Sequence, residues 1–314
     1  MIKPEASLSQ AKAYLNERNL ILRYTQKTKK FGFQCLVYIV LLEFGFIFLL
    51  PFIYMVSRST MSVGDLLDDS VAWLPNSVYW QNYADAYRSL NFPVTFRNTL
   101  VHSVVPMLGQ IVSCAIAGYG LGRYRFRGSG LIFVLLLVCL IVPPQTTIIA
   151  FYSMYAKWEL INTYWPMILP ALFAQGIRGA LFTLIFTQFF KGLPNELDEA
   201  ARIDGAGGFT VFSRVMLPLA KPAIFVVAMF SLVWHWNDNF FARYFANKSD
   251  MFTMPWMLDI INYDYVMKGA VNSNLNEGML MAAVVIIVAP QFLVYMIGQR
   301  YLVEGIERTG LAGD

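Results

Sequence analysis

The sequence predicts an all-α fold, a polytopic membrane protein of about six transmembrane helices. Three observations carry that expectation. Of its 314 residues, 57% are hydrophobic and only 14% are charged, which is too apolar for a soluble chain of this length. The apolar residues fall in runs long enough to cross about 30 Å of hydrocarbon at about 1.5 Å per residue. Lysines and arginines gather at the ends of those runs that the positive-inside bias places in the cytoplasm. The net charge of +4 reflects these basic loops and not a nucleic-acid surface. Cys35, Cys114 and Cys139 lie inside apolar runs at spacings that suit neither zinc nor a disulfide framework, so they read as packing residues.

Residues 1–30 are expected to form a basic cytoplasmic segment, and residues 31–314 one transmembrane domain. Ser7 and Gln10 have capping-box spacing before a short amphipathic helix, and Lys27, Lys29 and Lys30 abut the first span. This polar start argues against a cleavable signal peptide. The six expected spans are 31–56, 96–121, 129–150, 165–190, 223–245 and 278–301. The first loop, 57–93, holds Asp65, Asp68, Asp69 and Asp85 with Trp73 and Trp80, and is expected on the outer face. Arg123, Arg125 and Arg127 place the end of the second span inside. Pro143 and Pro144 remove backbone donors and should kink or break the third span. Both termini are then cytoplasmic.

The polar segment 191–222 interrupts this pattern between the fourth and fifth spans. Asn195 is the expected N-cap of a short helix whose first turn carries Glu196, Asp198 and Glu199, where the helix dipole favours negative charge. Leu197, Ala200, Ala201 and Ile203 give it an apolar stripe. Gly205 ends it, with Gly207 and Gly208 permitting a sharp turn. A second short helix then presents Phe209, Phe212, Val215 and Met216 on one side, until Pro218 and Pro222 stop it. A hairpin this small cannot fold alone and needs something to pack against.

The order Glu199-Ala200-Ala201, Asp204-Gly205-Ala206, Leu217-Pro218 and Lys221-Pro222-Ala223 closely resembles the EAA loop of permease subunits in binding-protein-dependent ABC importers. Further matches extend over nearly the whole membrane region: Asn98-Thr99-Leu100, Ala117-Gly118-Tyr119, Arg123, Pro143-Pro144-Gln145, Asn162-Thr163, Gln188-Phe189-Phe190 and Trp236-Asn237. They resemble the sugar-transporting branch, and within it the smaller permease of maltose-type importers. Two positions depart from the pattern. The tail Gly310-Leu311-Ala312-Gly313-Asp314 lacks the family's usual lysine, and Arg243 stands near where a proline commonly follows Trp236-Asn237.

The resemblance implies a multi-pass subunit of a bacterial cell membrane. Its central spans would line a sugar or oligosaccharide pathway with a second, homologous permease. Two ATPase subunits would dock on a cytoplasmic loop, and a solute-binding protein would deliver substrate from outside. Carried over residue by residue, Glu199 is the acidic anchor and Gly205 the bend. Ala200, Ala201, Asp204, Phe209 and Phe212 complete the ATPase-coupling set. No cofactor is expected on this chain: the sequence has no G-x-x-x-x-G-K-[ST] loop to cradle phosphates, so ATP and Mg belong to the partner.

For the pathway, Arg178 stands out as a cation halfway along the expected fourth span, where charge is costly and usually faces a cavity or a partner. It is expected either to pair, with Glu43 or the partner permease, or to contact sugar hydroxyls or a uronate, which would favour an acidic saccharide. Gln145, Trp236, Asn237 and Asp238 are the other pathway candidates; each also suits helix packing or capping, and Trp236 interfacial anchoring. His102 and His235 are too far apart in the chain to suggest a metal or catalytic site. Among alternatives, a permease for a non-sugar solute keeps the same architecture. An intramembrane enzyme would need convergent nucleophile, base or metal-ligand residues that the spans do not supply.

Overall fold

The computed structural model describes residues 5–268 and 276–310, with side chains for 30–267 and 276–299. It is helical, with no strand among the described residues. Residues 1–57 and 58–314 form two separate compact units.

Helix α1 (Glu5–Ser59) fills the first unit. It runs unbroken through Pro51, so the expected short N-terminal helix is continuous with the first span, and Ser7 lies inside a helix and not at its cap. The Ser7 and Gln10 side chains, Lys27, Lys29 and the 311–314 tail lie outside what is described. The most apolar 18-residue stretch within Lys30–Ser59 buries none of its side chains.

The second unit begins with two short helices, α2 (Val63–Leu67) and α3 (Gln81–Ser89). Ser62 caps α2 in a reciprocal box with Asp65, and Asn76 also donates to that carboxylate at 2.8 Å. Burial pushes the Asp65 carboxyl up, but the bonds from Ser62 and Asn76 outweigh it and hold it below the usual carboxylate range. Asp68 is held low in the same direction by Ser70.

Helix α4 (Phe92–Arg123) is the axis of the unit. It packs mainly on α8 (Gly179–Gly192) and α12 (Lys221–Trp236), and next on α7 (Trp165–Leu172). A bare backbone at Gly118 sets how closely α4 and α8 approach, since a Cβ there would collide with Phe186 and come within 2.9 Å of the Thr187 amide. Around this seam Cys114, Tyr119, Phe182, Phe186 and Phe190 form a core that α12 completes with Ala223 and Val227. Cys114 is thus a packing residue, as its apolar context suggested.

Three expected spans are not straight crossings. Helices α5 (Ser129–Ile141) and α6 (Pro144–Lys157) meet at 99° across Pro143, the break the proline pair led one to expect but sharper than a kink. The expected fourth span is two helices, α7 and α8, separated by non-helical residues 173–178. The expected fifth span is shortened: α12 stops at Trp236, and Asp238 caps a separate helix, α13 (Phe240–Phe245), by accepting from the Phe241 and Ala242 amides. Among the described residues three helices are long and apolar enough to cross a membrane: Lys30–Ser59, Phe92–Arg123 and Glu277–Gln299; the number rises to five if each bent pair is one span. The shortfall from six comes from the broken α7–α8 pair.

Between α8 and α12 lie α9 (Glu196–Ile203), α10 (Gly208–Val211), a π-turn over Phe212–Met216 and α11 (Leu217–Leu219). Pro218 therefore does not stop the second short helix. The extra residue of the π-turn absorbs it, and the chain turns by 75° into α12 at Ala220. Helix α14 (Met254–Lys268) and helix α15 (Glu277–Gly310) complete the unit, and α15 packs on α3 and α12.

Candidate functional site

Two places combine unusual backbone with committed polar side chains. One is loop 191–222, and the other is the break at 173–178.

The loop is fastened to the end of α4 chiefly by one side chain. Arg123 donates from Nε to Asp198 Oδ2 at 2.5 Å, from Nη1 to the Leu193 carbonyl at 2.7 Å and the Phe190 carbonyl at 3.3 Å, and from Nη2 to the Pro194 carbonyl at 2.7 Å. The Tyr119 hydroxyl reaches the other Asp198 oxygen at 3.4 Å. The Arg123 side chain is only 4% exposed and that of Asp198 14%. One guanidinium thus satisfies both the free carbonyls at the end of α8 and a carboxylate in the first turn of α9, a use of Arg's five-donor fork that Lys cannot copy. This corrects the expected capping scheme: Asn195 is itself in a helical conformation and makes no side-chain cap.

With α9 pinned, its faces sort cleanly. Leu197, Ala201 and Ala206 pack on the α4–α8 core, as do Phe212 and Met216 beyond the turn. Phe212 is therefore withdrawn from any external docking face: it lies 5.1 Å from Tyr119, ring to ring, and is buried. Ala201 is half-buried for the same reason. Left outside are Glu199, Ala200, Asp204 and Gly205, with two large apolar side chains, Ile203 at 86% and Phe209 at 79% exposure. Gly205 has φ +83°, which side-chain-bearing residues rarely adopt, so it makes the bend expected of it. Gly207 and Gly208 need no such freedom, since Gly207 is extended and Gly208 opens α10.

At the break, three of the six residues hold positive φ: Ala174, Gly176 and Arg178. Non-helical backbone at membrane depth needs partners. Gln110 on α4 supplies them, donating from Nε2 to the Gln175 and Ile177 carbonyls at 2.9 Å each. Ser113 adds a bond to Ala171 and one from the Ala174 amide. Arg178 follows, exposed, as the left-handed residue that opens α8, with its guanidinium 5.4 Å from the centre of the Trp234 ring. It stands in a helix break and not, as expected, inside a continuous span.

The remaining pathway candidates scatter. Trp236 is 4% exposed, donates to the Ile287 carbonyl and packs edge-on against Phe96, so it is core and cannot stack on a ligand. Asn237 exchanges side-chain bonds with Gln291 on α15 at 2.7 and 3.2 Å. Gln145 is exposed at the start of α6. Asp238 is buried and accepts from His102 Nε2 at 3.0 Å, a pairing across 136 residues that sequence reasoning missed. His235 donates Nδ1–H to the Ser231 carbonyl, and Ser231 in turn donates to Gln110 Oε1. Asn98, one of the family-like positions, donates to the Asp250 and Phe252 carbonyls and ties α4 to the segment before α14.

Comparison with known proteins bears on the family and the fold. The chain is 29% identical to the arabinooligosaccharides transport system permease AraQ of Halalkalibacterium halodurans, over 79% of this chain and 82% of the relative. It is 29% identical to the diacetylchitobiose uptake system permease NgcG of Streptomyces coelicolor, over 88% of each. It is 32% identical to the osmoprotective compounds uptake permease GgtD of Synechocystis, over 68% of this chain and 73% of the relative. In fold it resembles a chain of a bacterial ABC transporter that imports the acidic polysaccharide alginate, with a TM-score of 0.72 at 20% identity over 86% of this chain and 96% of that one. The model of the family described as "binding-protein-dependent transport system inner membrane component" matches residues 115–308, and the chain belongs to that family.

Proposed function

We propose that this chain is one permease subunit of an ATP-driven importer for a sugar or oligosaccharide, and that loop 191–222 is where the ATPase docks. The observation that carries the docking half is the pinned hairpin: a rigid element whose outward face is Glu199, Ile203 and Phe209, left uncovered by the described residues. Burying each large apolar side chain on a partner contributes about 1.5–3 kcal/mol, whereas an exposed ion pair at Glu199 contributes about 0–1 kcal/mol. Affinity therefore rests on Ile203 and Phe209, and Glu199 sets orientation. Two ATPase subunits serve two such loops, one here and one on a second, homologous permease. They hold the ATP and Mg, and this chain hydrolyses nothing.

The substrate class follows the named relatives, which carry arabinooligosaccharides and diacetylchitobiose. The loop, the basic residues Arg123, Arg125 and Arg127 and both termini lie on the cytoplasmic side, and a solute-binding protein delivers substrate on the other. The break at 173–178 lines the pathway, with Arg178 and Trp234 as its polar and aromatic contacts; a free guanidinium there also suits a uronate. The GgtD likeness favours one second reading, an osmoprotective compound in place of an oligosaccharide. The test is accumulation of labelled raffinose, arabinotriose, diacetylchitobiose, trigalacturonate and glucosylglycerol by proteoliposomes holding the whole complex, its binding protein and ATP. The reading predicts ATP-dependent accumulation of at least one saccharide; uptake of glucosylglycerol alone would replace it with the second reading.

A further inference from the structure

At the end of α12 opposite loop 191–222, helix α14 and Arg243 of α13 border an open groove of about 540 Å³ that no step so far uses. It is lined by Arg243, Trp256, Asp259, Asn262 and Tyr263, with Ile260 and Val266. Its chemistry is unevenly distributed. Most of the wall is apolar, and the polar groups converge on one edge. There Asp259 Oδ2 accepts from Asn239 Nδ2 at 2.7 Å and from Arg243 Nη2 at 3.1 Å. The Arg243 guanidinium carbon also lies 4.7 Å from the centre of the Trp256 ring. The Trp256 Nε1–H is buried without a partner, and the Tyr263 side chain stands open to the cavity mouth.

We infer that this groove is a saccharide-binding subsite at the outer mouth of the permease, selective for neutral sugars. The inference rests on the sugar reading above and adds a second place of contact. A sugar ring is apolar on its C–H face and polar around its rim. Here Tyr263, Ile260 and Val266 offer an apolar wall, and Arg243, Asp259 and Asn262 offer donors and acceptors along one edge. The cavity is large enough for a di- or trisaccharide. The guanidinium is already answered by Asp259, so a uronate would add an uncompensated negative charge beside that carboxylate. A neutral vicinal diol meets no such penalty and bridges Arg243 and Asp259 as donor and acceptor.

The experiment uses the whole complex in nanodiscs, without binding protein or ATP, and saturation-transfer NMR from protein aromatic protons to sugar C–H protons. The reporter is whichever of raffinose, arabinotriose or diacetylchitobiose the same complex accumulates in proteoliposomes, with trigalacturonate as the acidic probe. The expected result is saturation of the neutral sugar that falls at least fivefold in Tyr263→Ala and is kept in Tyr263→Phe. Asp259→Asn, which frees the guanidinium, should lose the neutral preference and gain trigalacturonate. ATPase activity of each variant complex reports that it is assembled. Saturation indifferent to Tyr263→Ala overturns the inference, as does saturation confined to lipid chains. Accumulation of a neutral sugar with no saturation at all overturns it and leaves the sugar reading standing. Accumulation of no saccharide overturns both.

Discussion

The two ends of α8 are held to α4 in opposite ways. At the loop end a charged side chain, Arg123, reaches out of α4 and fastens a polar hairpin through five bonds, counting the one from neighbouring Tyr119. At the break, a neutral side chain, Gln110, satisfies two bare carbonyls and nothing ionic is buried with them. The first arrangement resists displacement, because moving the loop would strand a buried guanidinium. The second is held by neutral bonds of about 1 kcal/mol each, with strained residues on either side. The proposed function would use this division, with a stiff connection where the ATPase docks and a compliant one where the path opens.

The largest effect that would break this contrast is at Arg123. Truncation to Ala leaves Asp198 Oδ2 and the Leu193 and Pro194 carbonyls without their donor, and breaking a buried pair this way costs about 3–5 kcal/mol. Arg123→Ala should lower the melting temperature of the purified complex, and Arg123→Lys should recover only part of the loss, since one ammonium cannot serve all four acceptors. At the break, Gln110→Ala should cost about 1–3 kcal/mol, the price of two unsatisfied carbonyls, with a larger fractional effect on uptake than on melting. An equal loss of stability at the two sites would erase the distinction drawn here.

The next effect lies on the packing that both ends share. Gly118→Val places branched carbon against Phe186 and the α8 backbone, and overpacking of this kind costs about 1–3 kcal/mol or more; expression in the membrane would report it. Smaller still in stability, but not in function, is the loop's outer face. Ile203→Ser and Phe209→Ser should leave the melting temperature of this chain within a degree or two, because both side chains are exposed. Each should weaken ATPase binding by about ten- to a hundredfold, read by titration of the ATPase onto the permease pair. Phe212→Ser should do the reverse, destabilising the fold because its ring is buried.

The smallest effect concerns acid. Asp65 and Asp68 have folded-state values held below their unfolded ones. They therefore contribute stability above the unfolded carboxylate range, and that contribution is lost as pH falls through the lowered folded values. Asp65→Asn should lower the neutral plateau of the melting-temperature profile and flatten its acid limb, so that variant and parent converge as pH falls.

What the sequence disclosed and what it concealed divides by range. Composition, apolar runs and the proline pair at Pro143 and Pro144 are local, and the helices and the sharp turn between α5 and α6 follow from them. The ordered loop motif was also local, and it led to the family that the chain proves to belong to. The Arg123–Asp198 clamp spans 75 residues and the His102–Asp238 pair 136, so no window of sequence shows either. The break at 173–178 was hidden for another reason: Ala174 and Arg178 adopt left-handed backbone without a residue-type signal, and only Gly176 hinted at it. Trp236 and Phe212 were misplaced because an aromatic near a helix end suits core, interface and ligand equally until its neighbours are known.

The most direct test of the stiff connection is the number of ATP molecules hydrolysed per sugar imported, measured in proteoliposomes holding the whole complex with Arg123→Ala in this chain. Loss of import with hydrolysis continuing, so that the ratio climbs at least tenfold, is the result predicted for a loop that still binds its ATPase but no longer moves with α4. An unchanged ratio, with import and hydrolysis both kept or both lost in step, would contradict it.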